Sequence, residues 1–128
     1  IHGWLTQEQV RSEMAKADIF CLFSYTETLG LVFLEAMKQK CAVIGRKGTG
    51  IDGLGERSIH YELIEKDSDI ADSIKSLLID TQKRNYLSQN GYELSKSFNW
   101  KTCAEKHLKI YNSLLNKKHL DKKFSVGK

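Results

Sequence analysis

Residues 19–44 read IFCLFSYTETLGLVFLEAMKQKCAVI, and the succession of patterns within them decides the fold. Residues 19–23 are apolar without interruption, short and rich in strand-forming types, as a parallel strand covered on both faces would be. Gly30 then opens a helical stretch that runs to about residue 40, and residues 41–44 form a second short apolar strand. Strand, helix and strand with no hairpin signal between them imply a parallel pair joined by a right-handed crossover.

The alternation continues on both sides. Upstream, residues 1–4 read as the end of a strand, and Thr6-Gln-Glu-Gln9 is a capping box. Val10, Met14 and Ala17 follow on one face, so a helix is expected to about residue 17. Downstream, five of the nine glycines fall between Gly45 and Gly55, which makes that stretch a loop. Residues 62–64 are a third strand, and Ser68 is placed to cap a helix carrying Ile70, Ile74, Leu77 and Leu78 on one face. Helices over about 82–97 and 100–115 complete the order, with Asn90-Gly91 an interruption in the first. The fold class is therefore α/β: a partial Rossmann-like open parallel sheet with flanking helices over residues 1–115, then a basic C-terminal tail over 116–128.

Composition narrows the function. The 128 residues, 41% hydrophobic and 28% charged, suit a soluble globular domain or part of one. The net charge of +4 arises wholly in the tail: residues 1–115 hold 15 basic and 15 acidic groups, whereas Lys117, Lys118, Lys122, Lys123 and Lys128 face only Asp121 beyond them. With no basic excess on the body, nucleic acid is not an expected partner. The tail is either solubilising or a peripheral contact with the anionic inner face of a membrane. The longest apolar runs are far shorter than the ~20 residues needed to span a bilayer. Cys21, Cys41 and Cys103 are odd in number and widely spaced, which suits reduced thiols in a cytoplasmic protein and offers no metal-ligand spacing. A first residue other than Met suggests a chain cut from a longer one.

In an open α/β sheet, ligands sit at the carboxyl ends of strands, facing helix N-termini. Ser24-Tyr-Thr-Glu-Thr-Leu-Gly30 is such a junction. Glu27 lies just past the strand, Gly30 permits close approach of a ligand, and the amides of Leu31 and Val32 are first-turn donors suited to an anion. Glu35 stands ~7 Å further along the helix axis, its side chain leaning back toward the N-terminus. Both carboxylates can then accept hydrogen bonds from the hydroxyls of one ligand while the amides hold its phosphate. The competing reading makes Glu27 a helix-dipole partner and Glu35 a solvated surface acid. Spacing alone leaves both open.

The motif Ser24-x-x-Glu27-x-x-Gly30-x-x-x-Leu34-Glu35-Ala36-Met37 resembles the signature of the GT-B glycosyltransferases, specifically the large retaining family 4 with its Glu-x7-Glu pair. Gly3, Ala17-Asp18-Ile19-Phe20, Gly48-x-Gly50-Ile51, Phe98-x-Trp100 and Tyr111 extend the likeness, in order, over nearly all of residues 1–115. The resemblance implies a nucleotide-sugar donor, with Glu35 on the ribose hydroxyls and Glu27 on the hexose hydroxyls. It places the backbone of Gly30, Leu31 and Val32 on the hexose and diphosphate, and adds Ser24, Gly48 and Gly50 as loop contacts. It implies no metal or other cofactor. It assigns no catalytic residue here, because the family's phosphate-neutralising Arg and Lys and its N-terminal acceptor domain fall upstream of Ile1. His2, His60, His107 and His119 all read as structural or solvated. The usual strand order leaves the strand at 19–23 as an apolar edge whose first-strand partner is absent. The whole enzyme would be a retaining hexosyltransferase acting on a saccharide or lipid-linked acceptor, in the style of bacterial surface-polysaccharide enzymes.

Three positions depart from the pattern. Phe23 stands where the family has Pro and Lys40-Cys-Ala42 replaces its Gly-x-Pro, which bears on loop geometry; Ile51-Asp52 is nearest to its Pro-Glu, so hexose recognition is expected to differ. Two rival functions remain. One is a non-catalytic nucleotide-binding or interaction module. The other is a dinucleotide-dependent oxidoreductase, since Gly48, Gly50 and Gly53 spell G-x-G-x-x-G; it requires a helix to start within residues 50–55. The expected role of residues 45–55 is instead a loop lining the sugar side of the crevice, with Arg46 and Lys47 as solvated cations in preference to partners of a phosphate. Asp67-Ser-Asp69 spells a metal-binding motif but sits at a helix start, where acids favour the macrodipole.

Overall fold

Three parallel strands, β1 (Ile19–Leu22), β2 (Ala42–Arg46) and β3 (Glu62–Ile64), pair in the order β1-β2-β3. They belong to a computed structural model that describes the backbone of residues 2–124 and the side chains of residues 2–115. β2 lies between two neighbours and is buried from Ala42 through Gly45, whereas β1 stands at an edge and is only half-buried. β1 is therefore the apolar edge that the usual strand order implies, and not a strand covered on both sides as its continuous apolar run alone suggests. β2 runs two residues past its expected end, and Arg46 is its last residue.

The strand end expected at residues 1–4 does not form. Residues 2–5 are irregular, since no described neighbour offers the hydrogen-bonded ladder that makes a strand (residue 1 lies outside the described residues). Helix α1 (Gln7–Lys16) starts at the capping box: the Thr6 hydroxyl accepts from the Gln9 amide at 3.3 Å, and the Gln9 side chain accepts from the Thr6 amide at 2.8 Å.

Side chains alternate across the sheet. Ala42, Ile44 and Ile64 point to one face with the flanking Ile19, Cys21 and Phe23, and meet Leu77 of α3 (Ile70–Ile79) and Leu87 of α4 (Thr81–Lys96). On the other face Phe20 packs edge-on against Phe33 of α2 (Leu31–Lys38), with ring centroids 6.0 Å apart. Apolar burial on both faces is the dominant stabilising term, at roughly 1.5–3 kcal/mol for each fully covered large side chain.

Two local expectations need correction. Ser68 does not cap α3: a 3-10 turn at Asp67–Asp69 leads into it, Asp69 occupies the cap position without a side-chain bond to the helix, and the Ser68 hydroxyl donates to Asp69 at 2.9 Å. The extra turn moves the helix start downstream, beyond reach of Ser68. Asn90-Gly91 does not interrupt α4, which is continuous. Gly91 is buried where a Cβ would lie 2.9 Å from the His60 carbonyl oxygen and 3.3 Å from Met37 Cγ. The glycine lets two backbones approach.

Contacts divide the chain into Ile1–Lys96 and Ser97–Lys128. The second unit is helix α5 (Trp100–Phe124), whose start is capped by Asn99 Oδ1 accepting from the Thr102 amide at 2.9 Å. The helix passes through residue 115 without a break, so no change of backbone marks the expected start of the tail. Cys103, Leu108, Tyr111 and Leu115 are exposed on it. The lysines of the expected membrane contact and His119 lie outside the described side chains. No helix among the described residues is long and apolar enough to cross a membrane.

Candidate functional site

The carboxyl ends of β1 and β2 bring two loops together. The first, from Phe23 to Gly30, enters α2 through Gly30, which adopts a left-handed conformation (φ 65°, ψ 55°) and buries itself against Phe33 and Glu27. A Cβ at Gly30 would lie 2.5 Å from the Phe33 ring, so both backbone and space require glycine there. As the cap residue it has no side chain to offer, and no side-chain bond caps α2. The first-turn amides of Leu31 and Val32 therefore have no partner inside the helix. Glu27, half-buried, accepts a hydrogen bond from the Gly30 amide at 3.2 Å. Its carboxylate is thereby held at the mouth of the helix.

Glu35 projects from the exposed side of α2, one turn beyond Leu31, and its carboxylate has no hydrogen bond or ion pair among the described residues. The two acids thus differ: Glu27 is anchored by the backbone, and Glu35 is open to solvent. Ser24 is half-buried at the end of the strand.

The second loop follows β2. A Cβ at Gly50 would lie 2.7 Å from backbone atoms of Thr28 and Leu29, so this glycine lets the second loop lie directly on the first. Gly48 does not join that contact; nothing lies within 4 Å of where its Cβ would be, and its amide donates to Asp52 at 2.9 Å. Residues 47–55 are turns and bends with no helix among them. The dinucleotide fingerprint needs a helix opening at that place to receive a pyrophosphate, so the oxidoreductase reading is removed.

Two features of these loops differ from what the sequence alone suggests. Tyr61, fully buried, accepts from the amides of Gly55 at 3.1 Å and Gly53 at 3.4 Å and donates to the Gly55 carbonyl at 2.8 Å. One phenol thus fixes the second half of the glycine loop. Arg46, expected to be a solvated cation, has a side chain only 24% exposed. Its guanidinium lies 4.6 Å from the ring centre of Phe23 and 4.0 Å from that of Tyr25. It also donates to Asp67 at 3.5 Å, and the Tyr25 hydroxyl donates to the same carboxylate at 2.6 Å. Lys47 does remain on the surface, paired with Glu65 at 2.6 Å, and that bond holds the Glu65 carboxyl below its ordinary value.

Burial raises the thiols of Cys21 and Cys41 above the ordinary range, with the Asp18 charge adding to the effect at Cys41. Such thiols are poor nucleophiles near neutral pH. Chemically, the junction offers a half-anchored carboxylate, an open carboxylate and an uncapped helix start along one strand-to-helix connection. That is a set of acceptors for hydroxyls beside donors for an anion.

Three kinds of likeness to known proteins agree on this region. The family described as "Glycosyl transferases group 1" matches residues 1–94. An uncharacterized glycosyltransferase of Methanocaldococcus jannaschii is 34% identical over 112 residues, which cover 84% of this chain and 31% of that protein. The chain spans a third or less of the length of the curated relatives it matches. Among solved structures, the C-terminal domain of a glycosyl transferase group 1 family protein from Francisella tularensis superimposes with a TM-score of 0.68 at 31% identity, covering 76% of this chain and 51% of that one. Anabaena HepE, solved in complex with UDP-glucose, gives 0.70 at 26% identity, covering 79% of this chain and 29% of that one.

Proposed function

The chain belongs to the group 1 glycosyl transferases, and on that premise we propose that it forms the nucleotide-sugar-binding part of a retaining GT-B enzyme that transfers a hexose to a saccharide or lipid-linked acceptor. The observation that carries this reading is the junction of β1 and α2. A backbone-anchored Glu27 and a solvent-facing Glu35 flank a helix start that only glycine could form. Glu35 accepts from the ribose hydroxyls and Glu27 from those of the hexose. The amides of Leu31 and Val32 receive the diphosphate and stabilise its charge as it leaves, with no metal required. Ser24, Gly48 and Gly50 line the crevice. UDP-glucose bound to a structural neighbour supports this donor class.

The acceptor is assigned to a separate domain of the whole protein, in keeping with a chain that spans a third or less of the length of its relatives. The enzyme works in the cytoplasm at the inner face of a membrane, where surface polysaccharide is built. Calorimetric titration of the chain with UDP, GDP and UDP-glucose tests the site. Binding of a nucleotide or its sugar, weakened about tenfold or more in Glu35→Ala, is expected; one good charge-assisted bond contributes that much. Absence of heat with all three ligands, or unchanged affinity in the variant, sinks the reading and leaves a non-catalytic module.

A further inference from the structure

We propose that Arg46 is a positioning residue for the Glu27 loop, acting through Tyr25 and Asp67; the inference rests on the donor-site reading above and deepens it. Four residues meet across the carboxyl ends of all three strands: Phe23 just after β1, Tyr25 two residues later, Arg46 at the end of β2, and Asp67 beyond β3. The rings of Phe23 and Tyr25 stand edge to face, 6.1 Å apart at 82°, and the guanidinium lies against both. Asp67 closes the arrangement by accepting from Tyr25 and from Arg46. A guanidinium so covered and neutralised is committed to the protein, not held in reserve for a phosphate.

The first loop is therefore fastened at three places. Tyr25 is held by Arg46 and Asp67, Thr28 and Leu29 lie against Gly50, and Gly30 is bonded to Glu27. Glu27 falls between the first two of these fastenings. Arg46 also serves the second loop, since its carbonyl accepts from the Thr49 hydroxyl at 2.8 Å, one residue before Gly50. Its side chain thus steers one loop while its backbone shapes the other. The two loops touch where Gly50 lies on Thr28 and Leu29. None of the four residues belongs to the buried cluster beneath the sheet except Phe23, at its margin, so the arrangement orders the loop more than it supports the core. Preorganising a carboxylate in this way favours binding by removing the cost of ordering it.

The test uses the full chain as wild type, Arg46→Met, Arg46→Lys and Glu35→Ala. Amide hydrogen exchange followed by NMR reads the loop directly, and UDP-glucose titration reads the site. In Arg46→Met, exchange at the Gly30 amide is expected to rise about tenfold, while that of Ala42, whose amide donates to the Asp18 carbonyl at 2.8 Å where the sheet begins, stays unchanged. UDP-glucose binding should weaken by about tenfold. Arg46→Lys should recover part of both, because an ammonium still interacts with the Tyr25 face but lacks the planar fork. Equal acceleration at Gly30 and Ala42 would make Arg46 a general structural residue and overturn the inference. So would unchanged Gly30 exchange in Arg46→Met, whether or not UDP-glucose binds. Faster exchange at Gly30 with intact affinity overturns it too, provided Glu35→Ala loses binding. If the wild type binds no nucleotide sugar, the donor-site reading fails and takes this proposal with it, and the Gly30 exchange shows separately whether the fastening exists.

Discussion

Gly50→Ala is the sharpest perturbation of the site, because it adds one methyl group where two loops already touch. The added Cβ would lie 2.7 Å from the Leu29 Cα and from the carbonyl carbons of Thr28 and Leu29. Ordinary contact begins at 3.4 Å, so the loops must part by about 0.7 Å, and the atoms in the way are backbone that cannot rotate aside. Overpacking of this kind costs roughly 1–3 kcal/mol, a fall in Tm of roughly 4–12 °C. The displaced segment is the one that carries Glu27, so binding should suffer along with stability. Loss of one well-placed charge-assisted hydrogen bond is worth about tenfold or more, and donor affinity is expected to drop about tenfold. Differential scanning calorimetry and UDP-glucose titration measure the two effects. Gly48→Ala is the control for the melting temperature alone: it meets nothing within 4 Å and suffers only from its positive φ of 76°, worth about 1–2 kcal/mol. If Gly50→Ala melts and binds like the wild type, the two loops do not rest on one another and the reasoning about their contact is wrong.

Three other outcomes follow from single side chains. Tyr61→Phe removes the hydroxyl shared by Gly53 and Gly55 while keeping the buried ring; urea unfolding should show a loss of about 1–3 kcal/mol, and no loss would mean water replaces the phenol. Gly91→Ala should gain about 1 kcal/mol in helix propensity but lose more to the His60 carbonyl 2.9 Å away, so the variant is expected to melt lower; a higher Tm would show that the His60 turn gives way. Thiol labelling near neutral pH should modify exposed Cys103 first and buried Cys41 last, its Sγ donating to the Met14 carbonyl at 3.1 Å. Because burial raises the Cys41 thiol, its reaction should accelerate only as pH climbs above the ordinary thiol range; equal rates at all three cysteines would contradict the burial.

Legibility in the sequence followed the range of the interaction. The Thr6–Gln9 capping box, the third strand at Glu62–Ile64 and the glycine start of α2 are set by residues within a few positions of one another. Ser68 shows the limit of such reading: a serine before an amphipathic helix resembles a cap until an unforeseen 3-10 turn takes the position. Gly91 shows another, since its value depends on His60, a turn 31 residues away in the chain. Arg46 and Asp67 meet only because β2 and β3 are neighbours with parallel register, and nothing local in either residue announces the other.

The sequence alone determined the α/β alternation, the parallel sheet and the position of the acidic pair around a helix start. Periodicity, strand propensity and glycine conformation are local properties of the chain, and they write themselves into its order. Tertiary structure decided that Glu27 is tethered while Glu35 stays open, that Gly50 brings the second loop onto the first, and that Arg46 is a fastening rather than a solvated charge. Those outcomes depend on which strand ends lie side by side, and the register of the sheet sets that.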